Sequence, residues 1–74
     1  MISHLDAMSL GNIASRGGSL EVDGRKYDAM SLGNIASKLL PGKHLKVHNS
    51  GSFDAMSLGN IASRASEGAN VIFC

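Results

Sequence analysis

Two histidines, His44 and His48, stand four residues apart with Lys46 midway between them. On a helix that spacing would place two metal ligands on one face. Here the residues between are Leu45 and Val47, so the segment alternates and reads as a strand whose polar face carries both imidazoles and the ammonium. A zinc site needs three or four ligands, and a neighbouring positive charge disfavours a cation. The expectation is a solvated face and no metal. Glu21 and Asp23 share a strand face in the same way and could serve as paired carboxylates, but no nucleophile or apolar pocket adjoins them, so they are expected at a solvated rim. Ser9, Ser31 and Ser57 each fall at the third position of a helix, where amides converge on anions, yet an aspartate cap already fills that niche. Pro41-Gly42-Lys43 lacks the Gly-x-x-x-x-Gly-Lys-Ser/Thr spacing of a phosphate loop and reads as a helix stop followed by a turn. Met8, Met30 and Met56 are copies of one helix position, expected in boundary packing. Cys74 is the sole cysteine, which excludes an internal disulfide framework and fits an inert terminal thiol. These residues define no catalytic, cofactor or metal site, and the chain reads as a protein that is not an enzyme.

The elements that hold these groups come from one decapeptide, Asp-Ala-Met-Ser-Leu-Gly-Asn-Ile-Ala-Ser, present unchanged at residues 6–15, 28–37 and 54–63 and followed each time by Arg or Lys. Asp6, Asp28 and Asp54 are preferred N-caps, whose carboxylates take hydrogen bonds from free amides and oppose the positive end of the helix dipole. Leu5, Tyr27 and Phe53 precede the caps, and Leu10, Leu32 and Leu58 follow at the fourth helical position. Each pair makes a hydrophobic staple. Within the second copy, Ala29, Leu32, Gly33, Ile35 and Ala36 share one arc, while Ser31, Asn34 and Lys38 lie opposite. The central glycine is expected to let the helix approach a sheet closely. Helices shorter than about 12–15 residues are marginal alone, so packing must hold them.

Between the helices run alternating segments with Leu20, Val22, Leu45, Val47, Val71 and Phe73 on one side and Glu21, Asp23, His44, Lys46 and His48 on the other. This pattern predicts a sheet covered on one face. The reading is an α/β fold: a small sheet of about three strands with three short amphipathic helices on one face, arranged as βα repeats. Residues 1–74 form one domain of three helix–strand units, at 6–23, 28–48 and 54–73. Strands joined through helices imply parallel pairing with right-handed crossovers. The alternative is antiparallel, because Asp23-Gly24 is a hairpin signal that would pair Leu20 to Val22 with Arg25 to Tyr27.

That alternative has a counterpart in a known family. The stretch from Leu20 through Asp23-Gly24 and Asp28 to Leu32, continuing through Pro41-Gly42 to Leu45-Lys46-Val47 and Gly51, resembles the middle of the histidine-containing phosphocarrier protein HPr. The resemblance covers about half the chain. It implies an α+β open-faced sandwich, with His4 as the phosphoryl acceptor and Ser31 as the regulatory serine. Leu5, Asp6 and Ala7 stand where the family places Arg and Pro after its histidine.

Composition bounds the partners. With 43% hydrophobic residues, 18% charged and a net charge of +1, the chain carries no basic excess for nucleic acid. Three aromatic residues, Tyr27, Phe53 and Phe73, make no stacking platform. Apolar runs of a few residues fall far short of a membrane span of about 20, and no signal peptide opens the sequence. A cytoplasmic protein or a recombinant expression product is expected, neither secreted nor membrane-bound. Identity at all ten positions of three copies suggests design or recent duplication of one helix–strand unit. The function expected is therefore a structural or protein-binding scaffold, with a partner on the open sheet face bearing Glu21, Lys46 and His48. The rival is an HPr-like phosphoryl carrier. Interchangeable helices also predict self-association as a dimer or by domain swapping.

Overall fold

A computed structural model describes residues 5–74. Helix α1 (Ala7–Ser15) is followed by β1 (Leu20–Asp23), α2 (Ala29–Ser37) by β2 (His44–His48), and α3 (Ala55–Ser63) by β3 (Asn70–Phe73). A short 3-10 turn at Ser50–Ser52 lies between β2 and α3. Each helix starts where its cap dictates: the carboxylates of Asp6, Asp28 and Asp54 accept from the amides of Ser9, Ser31 and Ser57, all at 2.8 Å. Each ends on the basic residue after the decapeptide, Arg16, Lys38 or Arg64.

The three strands form a parallel sheet in the order β1-β2-β3, with Leu20 beside Leu45 and Leu45 beside Val71. The helices make a single layer in which α2 lies between α1 and α3. Between the layers, Leu10, Leu32, Ile35 and Ile61 join Leu20, Val22, Leu45 and Val47 in one buried cluster. Leu5, Tyr27 and Phe53, partly buried, pack against this cluster.

The α/β fold with a parallel sheet is thus the arrangement adopted, and the antiparallel hairpin is not. Residues 24–28 make a turn, because the Asp23 carboxylate takes the Arg25 amide at 3.0 Å while the Gly24 amide donates to the His48 carbonyl at 2.7 Å, prolonging the β1–β2 ladder. Gly24 is close to that neighbouring strand: a Cβ there would sit 2.9 Å from Val47 Cγ1 and 3.0 Å from the His48 oxygen.

Identical decapeptides are buried unequally. Leu10, Gly11 and Ala14 in α1, and Leu32, Gly33 and Ala36 in α2, are buried because a further helix follows. The matching Leu58 is only half-buried, and Gly59 and Ala62 are exposed. The isoleucine behaves oppositely: Ile35 and Ile61 are buried beneath a preceding helix, while Ile13 is half-buried. Each helix therefore presents Leu-Gly-Ala forward and Ile backward along the stack.

The glycine meets the next helix and not the sheet, contrary to the expectation from sequence. A Cβ at Gly11 would lie 3.1 Å from Lys38 Cδ, and one at Gly33 would lie 2.8 Å from Arg64 Cδ. Met8, Met30 and Met56 are not boundary residues either, being 78%, 72% and 76% exposed. One helix position can turn outward in all three copies because the forward and backward arcs already supply the packing.

Candidate functional site

The uncovered face of the sheet collects the polar residues of all three strands. Alternation sends Leu20, Val22, Leu45 and Val47 inward, and that places Glu21, His44, Lys46, His48, Asn70 and Ile72 outward. Register then sets the neighbours. Glu21 lies beside Lys46, and Lys46 lies beside Ile72, so an acid, a base and an apolar side chain form one cross-strand row. Diagonally, His48 Nε2 and Glu21 Oε1 are 2.8 Å apart. The hydrogen bond from His48, reinforced by the field of Lys46, holds the Glu21 carboxyl below its ordinary range. Ile72 is 43% exposed at the end of this row.

Asp23 departs from the solvated rim expected of it. Its side chain is 7% exposed, while that of Arg25 is 65% exposed. Arg25 Nε and Nη2 donate to the two carboxylate oxygens at 3.1 and 3.0 Å, and Asn49 Nδ2 donates at 3.2 Å. These donors, Arg25 first, push the Asp23 carboxyl far below the usual carboxylate range. The same contact raises the Arg25 guanidinium. Asn49 adopts a left-handed conformation with φ of 57° just beyond β2, so the cluster ties the end of β1 to the turn after β2. It is a structural latch at the border of the open face.

His44 and His48 lie half-buried on the outer face, separated by Lys46. Among the described residues, no three His, Cys, Asp or Glu side chains gather closely enough to hold a metal ion. Ser31 gives its amide, and its hydroxyl, to Asp28, which lowers that carboxyl. His4 lies outside the described residues. Cys74 is an exposed free thiol; its backbone closes the sheet, with its amide on the Val47 carbonyl and its own carbonyl accepting from the Ser50 amide and hydroxyl.

On the other side of the molecule, two equivalent grooves run between adjacent helices. One is lined by Ala7, Met8, Asn34, Ile35, Ser37 and Lys38, the other by Ala29, Met30, Asn60, Ser63 and Arg64. Neither includes Glu21 or His48, and their shared residue types follow from the reuse of one decapeptide. No helix among the described residues is long and apolar enough to cross a membrane.

What sequence reading did not find was the pairing of Gly11 with Lys38 and of Gly33 with Arg64, each from the next unit, and the burial of Asp23. A signal for the first exists: Arg16, Lys38 and Arg64 recur at the same place after each decapeptide.

No protein-family model, no curated protein and no solved structure matches this chain.

Proposed function

We propose that this chain is a non-enzymatic α/β scaffold, built by reuse of one helix–strand unit, whose uncovered sheet face docks a protein. The observation behind the reading is the one-sided sheet. Parallel sheets are ordinarily covered on both faces, and here one face is left to Glu21, Lys46, His48 and Ile72. A row that passes from an acid–imidazole pair through a lysine to an exposed isoleucine offers charge selection beside apolar contact, the combination of a polar rim and a small apolar centre found in protein interfaces. The strand register fixes where those side chains stand relative to one another on the face.

The test is to select binders from a displayed peptide library and map them by amide chemical shifts. Shifts centred on Glu21, Lys46 and Ile72, with binding lost in Lys46→Glu, support the reading. Shifts confined to the helix layer, or binding that survives Lys46→Glu unchanged, overturn it.

A further inference from the structure

The stack of units is closed at each internal step and open at its α3 end. Two internal junctions show what closes it. At the first, the stem of Lys38 lies over Gly11; at the second, the stem of Arg64 lies over Gly33, with Arg64 Nη2 donating to Asn34 Oδ1 at 2.9 Å. The isoleucine of the arriving helix, Ile35 or Ile61, becomes fully buried in the same step. At Gly59 the third forward slot holds none of the described residues, with none of their atoms within 4 Å of a Cβ placed there. Leu58 and Ala62 flank that slot and have lost the cover that their counterparts enjoy. Below them, among the described residues, β3 pairs only with β2, so its other edge is unpaired there, and Val71 and Phe73 are half-buried where Leu45 and Val47 are fully buried.

The chain also carries the piece that fits. Its first helix ends in Arg16, exposed and at the position of Lys38 and Arg64, and presents Ile13 half-buried on the backward side of α1. Among the described residues β1 pairs only with β2, so its other edge is available for a parallel strand. We propose that the α3–β3 end binds the α1–β1 end of a second copy of this chain, which takes the place of the next unit. Arg16 of that copy then lies over Gly59 with its guanidinium at Asn60, Ile13 covers Leu58 and Ala62, and β1 adds to β3 with Leu20 beside Val71. This register continues the one that already sets Leu20 beside Leu45 and Leu45 beside Val71. The contact is head-to-tail and leaves a free end on each copy, so it propagates into short rows and does not close as a two-fold dimer. It goes beyond the docking role of the sheet face: the contact is made at the two ends of the stack, and its register sets Glu21 of the second copy beside Ile72.

Sedimentation velocity over a concentration series tests this. Among the described residues nothing lies within 4 Å of a Cβ placed at Gly59, so Gly59→Glu, whose side chain occupies the slot, is expected to fold with an unchanged circular dichroism spectrum. Arg16→Glu removes the complementary side chain from the other end. The wild-type sedimentation coefficient is expected to rise with concentration through dimer to longer species, and each variant alone is expected to remain a monomer. Mixing the two variants leaves one intact pair of ends and should give a one-to-one dimer that grows no further. A wild-type chain that stays monomeric throughout overturns the proposal. So do oligomers that persist in Gly59→Glu, or a mixture of the two variants that does not dimerise. Loss of peptide binding in Lys46→Glu concerns the other face and leaves this result untouched.

Discussion

The aliphatic stem of Arg64 crosses Gly33, its Cδ 2.8 Å from the place a Cβ on that glycine would occupy. A basic residue at the end of one helix thus packs through its methylenes on the bare backbone of the preceding helix while its head reaches Asn34. The glycine in the middle of each decapeptide costs helix stability in isolation. It becomes useful only when another unit follows.

The three glycines are therefore expected to respond differently to alanine. Gly59→Ala meets none of the described residues within 4 Å and should stabilise the monomer by about 0.5–1 kcal/mol, the helix-interior advantage of alanine. At Gly33 and Gly11 the new methyl must displace the Arg64 or Lys38 stem, so the gain should be smaller or vanish. Urea unfolding of the three variants at low protein concentration measures the order, and equal gains at all three sites would contradict the packing described.

The leucines should show a similar dependence on position. Leu10 and Leu32 are fully buried, and truncating either to alanine is expected to cost about 2–5 kcal/mol. A domain of this size has roughly 4–11 kcal/mol in total, so Leu32→Ala should be close to unfolded. Leu58 is half-buried, and Leu58→Ala should cost distinctly less. Thermal melts compare three substitutions within one identical sequence context, so any difference reports tertiary position alone.

Features with short-range signatures were readable in the sequence. The aspartate caps, the preceding apolar staples and the alternation of Leu45-Lys46-Val47 are each specified within a few residues, and they fixed the helices, the strands and the wet face on which Glu21 and His48 meet. Asp23-Gly24 misled because its hairpin preference is also local, whereas the outcome was decided by Asn49 and the His48 carbonyl across the sheet. The partner of Gly33 is likewise distant in the chain, at Arg64 after the next decapeptide. Met30 stands outward for the converse reason: its own apolarity favours burial, but the arcs on either side of it already fill the available contacts.

A further prediction concerns Gly24. Alanine there would press on Val47 Cγ1 at 2.9 Å, the His48 oxygen at 3.0 Å and the Phe53 ring at 3.2 Å. Two of these are held by the core and the ladder and cannot yield as an exposed stem can. Gly24→Ala should therefore lower the thermal midpoint, in contrast to Gly59→Ala, and amide exchange at β1 should accelerate.

Acid should destabilise the fold, and Asp23 should carry a large share of the effect. The carboxyls of Asp6, Asp28 and Asp54 are lowered chiefly by the amides they cap, Glu21 by His48, and Asp23 furthest, by Arg25 and then its backbone. A carboxyl whose folded pKa lies below its unfolded value binds its proton more tightly in the unfolded chain. Its contribution is complete above the unfolded carboxylate range of about 4 and disappears as the pH falls through the folded value. The thermal midpoint is thus expected to be nearly flat from about pH 6 to pH 5 and to fall progressively below about pH 4. Because the Asp23 carboxyl lies lowest, its part of the loss should extend to the most acidic end. Asp23→Asn keeps an oxygen for the Arg25 amide but cannot titrate; it should begin less stable near neutrality and lose less on acidification. Melting curves of the two proteins across that range check the sign: parallel decline would show that the Asp23–Arg25–Asn49 latch does not govern the acid response, whereas convergence at low pH identifies it as the group being protonated.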